Sequence, residues 1–241
     1  PCDVPDYSRA NLQICRDTLM EAVAETSEEF MERYFNGDEF SENEIRQALR
    51  VNVADASMVP VSMGSSILAQ GMYTLLDDII KYFPSPDKRS CTGINAKSNE
   101  VYSADYDFSK PKSAYIFKTI VDPFIGKYSL IKVNSGVLKT DDLLFNHHRD
   151  TEGRIGELYV MCGSKPQEVP ELHAGDIGAL AKLSGAMTTD SLSTRANPIL
   201  FIRTSISEPY TGMRYKAKNK GDEDKISQAL QKIMQEDLTI K

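Results

Sequence analysis

Apolar positions recur every three or four residues in the first part of the chain, and about every second residue through its middle. That change of period predicts helices followed by strands. Leu12, Cys15, Leu19 and Val23 make one apolar stripe, so residues 8 to about 34 read as helix, interrupted at Thr26 or Ser27. Thr26 with Glu29 has the spacing of a capping box, in which hydroxyl and carboxylate satisfy each other's backbone N–H groups. It predicts a second short helix through Phe30, Met31 and Tyr34, with Gly37 placed for a left-handed C-terminal cap. Ser41 with Glu44 repeats the box and opens a third helix through Ile45 and Leu49. Residues 59–63 are an apolar run of strand length. Gly64, Ser65 and Ser66 then form a small-residue turn, and Met72, Leu75, Leu76, Ile79, Ile80 and Phe83 return to helical spacing until Pro84-Ser85-Pro86 stops the pattern.

Beyond residue 86 the character changes. Residues 87–112 are polar and turn-rich, and alternating segments follow at 113–121, 128–133, 142–146, 155–161 and 177–183. Turn signals separate them at Asp122-Pro123, Asn134-Ser135-Gly136, Thr151-Glu152-Gly153, Gly163-Ser164 and Ala174-Gly175-Asp176. Strands so spaced, without intervening helices, predict a closed or nearly closed antiparallel barrel over residues 88–203. Strand-like runs at 201–206 and 213–215 lead to an amphipathic helix through Ile226, Leu230, Ile233 and Met234 as far as Glu236. One helix and one or two strands are too little to fold alone, so a further domain is expected to begin here.

Composition narrows the class. The 241 residues are 41% hydrophobic, enough for one large domain or two ordinary ones. No apolar run approaches the length of a membrane span, and no basic-then-apolar secretion signal opens the chain. A start at Pro1 leads us to expect a piece of a longer protein. Cysteines at 2, 15, 91 and 162 contain no C-x-x-C pair, so neither a zinc site nor a disulfide framework is indicated and a reducing, cytoplasmic setting is expected. The net charge of −7 is uneven: residues 1–90 carry 8 Lys/Arg against 16 Asp/Glu, the remainder 20 against 19. An acidic and a near-neutral part point to different partners.

Two tetrapeptides spell guanine-nucleotide motifs and fail on context. Asn219-Lys220-Gly221-Asp222 has the N-K-x-D letters but precedes the amphipathic helix, where Asp222 reads as an N-cap or first-turn carboxylate. Asp150-Thr151-Glu152-Gly153 has the D-x-x-G letters but sits where a hairpin tip is expected. A phosphate loop is missing, since Gly126-Lys127 has no glycine five residues earlier, and the chain alone is not expected to hydrolyse GTP. His147 and His148 read as solvated at the same hairpin tip.

Longer matches carry a family. Glu21-Ala22-Val23-Ala24-Glu25-Thr26 with Phe30-Met31-Glu32-Arg33-Tyr34, residues 60–86, Asp122-Pro123-Phe124-Ile125-Gly126-Lys127, Val133-Asn134-Ser135-Gly136, Ala174-Gly175-Asp176-Ile177 and Glu208-Pro209 together resemble elongation factor G, the ribosomal translocation GTPase. The resemblance implies a mixed fold class. Residues 1–87 would be the C-terminal part of an α/β GTPase domain with an inserted helical subdomain, 88–203 the antiparallel β-barrel of domain II, and 204–241 the incomplete start of an α+β ferredoxin-like domain III. It implies GTP or GDP with Mg²⁺ in the full-length protein, with Ser65, Ser66 and Ile67 at the guanine-contacting turn; Ser66 stands where the family usually has Ala. The implied partner is the ribosome: small-subunit rRNA through the barrel and stalk protein through the acidic helices, with no membrane and no DNA. Lys127, Lys132, Lys139, Arg149 and Arg154 are the candidate RNA-facing residues, because phosphate attraction needs basic side chains. The polar stretch 88–112 and Ile206-Ser207-Glu208-Pro209-Tyr210 depart from the usual pattern and suggest a paralogue. A ribosomal protection factor of the tetracycline-resistance type, or a stand-alone barrel binding RNA or peptide, are the alternatives.

Overall fold

The computed structural model describes residues 4–122, 126–183 and 185–241. Cys2 lies outside the described residues, as do Pro123, Phe124 and Ile125 of the expected turn and family stretch. The chain divides into two units, Pro1–Ser85 and Pro86–Lys241.

The first unit holds four helices: α1 (Asp6–Ala24), α2 (Glu28–Asn36), α3 (Glu42–Ala54) and α4 (Met72–Tyr82). The α1–α2 break is set by Ser27, whose hydroxyl accepts from the Phe30 N–H at 3.1 Å. Thr26 instead donates its hydroxyl to the Val23 carbonyl at 2.6 Å, so the cap falls one residue later than the Thr26/Glu29 spacing suggests. Gly37 closes α2 at φ +81, and Ser41 with Glu44 forms both halves of the expected capping box. Arg33 ties the pieces together. Its guanidinium bridges Glu44 at 2.6 Å and lies 5.6 and 5.1 Å from the Phe30 and Phe40 ring centres. The Arg33 hydrogen bond, then those from Ser41, hold the Glu44 carboxyl down at about 2. Val23, Ala48 and Leu49 form a small core with Leu19, Phe30, Phe40, Ile45, Met58 and Tyr82 packed on it.

Residues 59–63 do not form the expected strand. Val59, Val61 and Met63 are 75%, 85% and 92% exposed, and among the described residues of this unit no neighbouring strand exists to take their N–H and C=O groups.

The second unit is built from β1 (Thr92–Asn95), β2 (Val101–Ser103), β3 (Ser113–Asp122), β4 (Gly126–Ser135), β5 (Val137–Lys139), β6 (Leu143–Asn146), β7 (Thr151–Arg154), β8 (Leu158–Cys162), β9 (Lys165–Val169), β10 (Glu171–His173), β11 (Ile177–Ala181), β12 (Ser191–Ser193) and β13 (Ile199–Leu200), then α5 (Glu223–Glu236). Eight strands run in the order β7-β6-β12-β3-β4-β11-β8-β9, all pairs antiparallel; β10 pairs with β5, and β1 lies between β13 and β2. Ile116, Ile131, Val133, Leu138, Leu144, Ile155, Leu158, Leu172, Leu180 and Leu192 are buried together inside. Each such side chain stabilises by about 1.5–3 kcal/mol through removal of apolar surface from water. Side chains alternate on β3 from Ala114 until a bulge at Phe117: Ile116 pairs with Ile131 and Lys118 with Leu130, leaving Phe117 without a partner residue. Phe117 and Lys118 therefore both face outward, and burial resumes at Thr119.

Several expectations are corrected here. The polar stretch 87–112 contains the β1–β2 hairpin, pinned to β13. Thr151-Glu152-Gly153 is not a turn but most of β7, with the turn placed before it and Asp150 at φ +50. The segment expected at 155–161 starts its strand only at Leu158. Residues 201–206 and 213–215 are not strands; β13 ends at Leu200. Asp222 is the N-cap of α5 but makes no cap hydrogen bond, its carboxylate going to Lys225 at 3.0 Å and Asn219 at 3.2 Å.

Candidate functional site

In the first unit the turn at Ser65, Ser66 and Ile67 is drawn tight by two backbone bonds, Ser65 N–H to Gln70 carbonyl at 3.0 Å and Gln70 N–H to Ser65 carbonyl at 3.1 Å. The Ser65 hydroxyl accepts from the Leu68 N–H at 3.3 Å. Gly64 is required because a Cβ there would stand 2.6 Å from the Gln70 carbonyl oxygen. Ser66 is exposed and Ile67 is 93% exposed. The Ser65 N–H is already spent on Gln70.

The second unit is organised at one end by a carboxylate that no local motif announces. Asp190 is fully buried, yet four groups donate to it: Arg149 Nε at 2.7 Å, Asn146 Nδ2 at 2.8 Å and the Met187 N–H at 3.0 Å reach Oδ2, and Arg203 Nη2 reaches Oδ1 at 2.7 Å. Burial would push the carboxyl up, but the hydrogen bonds from Asn146, Arg149 and Met187 prevail and hold it below the ordinary aspartate value. The Asp190 carbonyl accepts from the Ile116 N–H and the Ile116 carbonyl from the Thr189 N–H, so the cluster is stitched to β3 beside the bulge. Thr189 holds φ +76, a strained backbone for a β-branched residue, which this network offsets. His148 is half-buried rather than solvated, and burial, then the nearby Arg203, lowers its pKa.

The five basic residues singled out by sequence fall in three places. Lys127 and Arg149 come together in an open cleft of about 640 Å³, joined by Lys182, which the sequence did not single out. Lys127 is half-buried and donates its ammonium to the Ala186 carbonyl. Lys139 and Arg154 flank the turn after β5, paired with Glu171 at 3.0 Å and Asp141 at 3.4 Å. Lys132 stands apart, its ammonium 4.7 Å from the Tyr106 ring centre, on the wall of an apolar groove of about 410 Å³ that also includes Tyr115, Phe117, Ile177 and Phe201.

The second unit has known counterparts. Residues 111–194 match the family model described as elongation factor G domain 2. A solved protein from Thermus thermophilus aligns over 100% of this chain with a TM-score of 0.77 and 28% sequence identity. The chain spans 34% of that protein's length. Over residues 111–194 the sheet thus resembles the barrel domain of a translation factor. The factor it resembles is elongation factor G. Among the described residues, no helix is long and apolar enough to cross a membrane.

Proposed function

We propose that the chain is the middle part of a translational GTPase of the elongation factor G type, whose barrel rests on small-subunit ribosomal RNA and passes nucleotide state to more distal domains. The carrying observation is the domain 2 match over residues 111–194. In this reading residues 1–87 end the GTPase domain with its helical insertion, residues 88–203 are domain II, and residues 204–241 begin domain III. Support for the first assignment is apolar surface: Val59, Val61, Met63, Ile67, Leu76 and Ile80 are all more than half exposed, as befits segments that another layer of a domain covers. The acidic helices would face the ribosomal stalk.

GTP or GDP with Mg²⁺ belongs to the whole protein in this proposal. In it the exposed Ser66 and Ile67 would lie on the base side of that site. This chain's residues contain no phosphate loop, so no step of GTP hydrolysis is assigned to them.

The test is binding of the chain to small ribosomal subunits at two salt concentrations, with a variant lacking residues 88–203. Binding that weakens with salt and vanishes with the barrel is expected. Absence of binding at low salt, or binding indifferent to the deletion, overturns the proposal.

A further inference from the structure

We propose that the cleft formed by Lys127, Arg149 and Lys182 is a phosphate site that takes the backbone of an RNA strand. The inference rests on the reading of the barrel as the RNA-facing domain and gives that contact a place. Three cations arrive there from separate segments: the start of β4, the turn between β6 and β7, and the residue after β11. The β11–β4 register and the Lys182 N–H bond to the Lys127 carbonyl set the two lysines side by side, and the Asp190 carboxylate draws Arg149 in from a separate turn. Their meeting has a visible cost, since burial and then the charge of Arg149 both lower the proton affinity of Lys127.

Asp190 offsets this charge only in part, raising the proton affinity of Lys127 by less than burial and Arg149 lower it. Asp190 is fully buried and shared by Arg149 and Arg203, which leaves it a structural counter-ion beneath the cleft. That bond fixes Arg149 by its Nε. A guanidinium carries five N–H donors in a rigid fork whose geometry matches the oxygens of a phosphate. Lys182 is exposed and keeps φ +57, a backbone few residues adopt without reason, while its N–H donates to the Lys127 carbonyl at 2.9 Å. Thr151 adds a hydroxyl, and Leu183 and Met187 supply an apolar wall. A volume of about 640 Å³ exceeds a lone phosphate several-fold and leaves room for the sugar and base attached to it. A phosphodiester bound there would relieve the repulsion between Lys127 and Arg149 and add Lys182 as a third cationic partner.

The test uses the full chain, with pyrophosphate, a short single-stranded oligouridylate and oligoglutamate as probes, followed by backbone amide NMR. Pyrophosphate and oligouridylate are expected to move the Thr151, Lys182, Gly185 and Ala186 amides saturably, oligouridylate the more tightly. Lys182→Asn keeps a residue that tolerates positive φ and removes one charge. It is expected to weaken oligouridylate about tenfold at low salt and to lower the salt slope by about 0.7. Lys165→Gln, on β9 outside the cleft, is expected to change neither. The proposal fails if no phosphate probe saturates these amides, or if the two variants respond alike. It fails as an RNA site if oligouridylate binds no tighter than pyrophosphate, and as a phosphate site if oligoglutamate competes equally. Were the cleft silent while the barrel still bound ribosomal subunits, this inference would fall and the barrel reading would stand.

Discussion

The two units bury apolar surface on different scales. Among the described residues of the first unit, Val23, Ala24, Ala48 and Leu49 are the buried apolar side chains, while α4 leaves Tyr73, Leu76 and Ile80 mostly exposed. In the second unit a continuous cluster of Ile, Leu and Val fills the curled sheet. Local signals hold the first unit: a hydroxyl cap at Ser27, a capping box at Ser41 and Glu44, a left-handed glycine at 37. Long-range contacts hold the second, including a carboxylate whose arginine partners lie 41 and 13 residues away. A unit built on local signals can form its elements without completing a core; one built on long-range pairing forms both or neither.

The sharpest test of that contrast is Asp190→Ala. It leaves Arg149 and Arg203 without their buried partner and is expected to cost about 3–5 kcal/mol, read by urea unfolding of the full chain. A loss of less than about 1 kcal/mol would show that the cluster is dispensable to the sheet. The same carboxylate sets a pH dependence. Its folded pKa lies below the unfolded value, so its contribution is complete above the ordinary aspartate range and is lost as pH falls through the lowered folded value. Asp190→Asn is expected to flatten that acid limb of the unfolding midpoint.

Next comes a matched pair. Leu158→Ala, fully buried, is expected to cost about 2–5 kcal/mol, whereas Ile79→Ala on half-exposed α4 should stay within about 0.5 kcal/mol. Equal losses would mean that the face of α4 is covered in solution. Ser41→Ala removes the cap of α3 and is expected to cost about 1 kcal/mol, seen as lost helical circular dichroism. The smallest effect concerns 59–63, whose amides should exchange with solvent nearly as fast as an unstructured peptide while those of β4 stay protected. Comparable protection would restore a strand there.

What the sequence disclosed follows the same division. The helices were legible because caps and 3.6-residue periodicity are written within a few neighbours, and the error of one residue at Ser27 arose because two adjacent hydroxyls compete for one role. Strands β3, β4, β6 and β11 were legible from apolar alternation. Others were not: β7 is Thr-Glu-Gly-Arg, which has turn composition and forms a strand through pairing with β6; β9 carries a proline at the sheet's edge; β12 is Ser-Leu-Ser, short and wholly buried. The barrel-end cleft was half legible. Lys127 and Arg149 stood out as basic, but their approach to Lys182 is a product of register, and Asp190 lies in Thr-Asp-Ser, a context that reads as surface.

The bulge at Phe117 uncouples the groove wall from the interior beneath it. Because the pairing steps from Ile116 directly to Lys118, the inward positions Ala114, Ile116 and Thr119 keep their places whichever residue occupies 117. Its side chain, 41% exposed on the groove wall, therefore answers to whatever meets the groove and hardly at all to the interior. A change of side chain at 117 would thus alter what the groove prefers and leave the pairing beneath it in place.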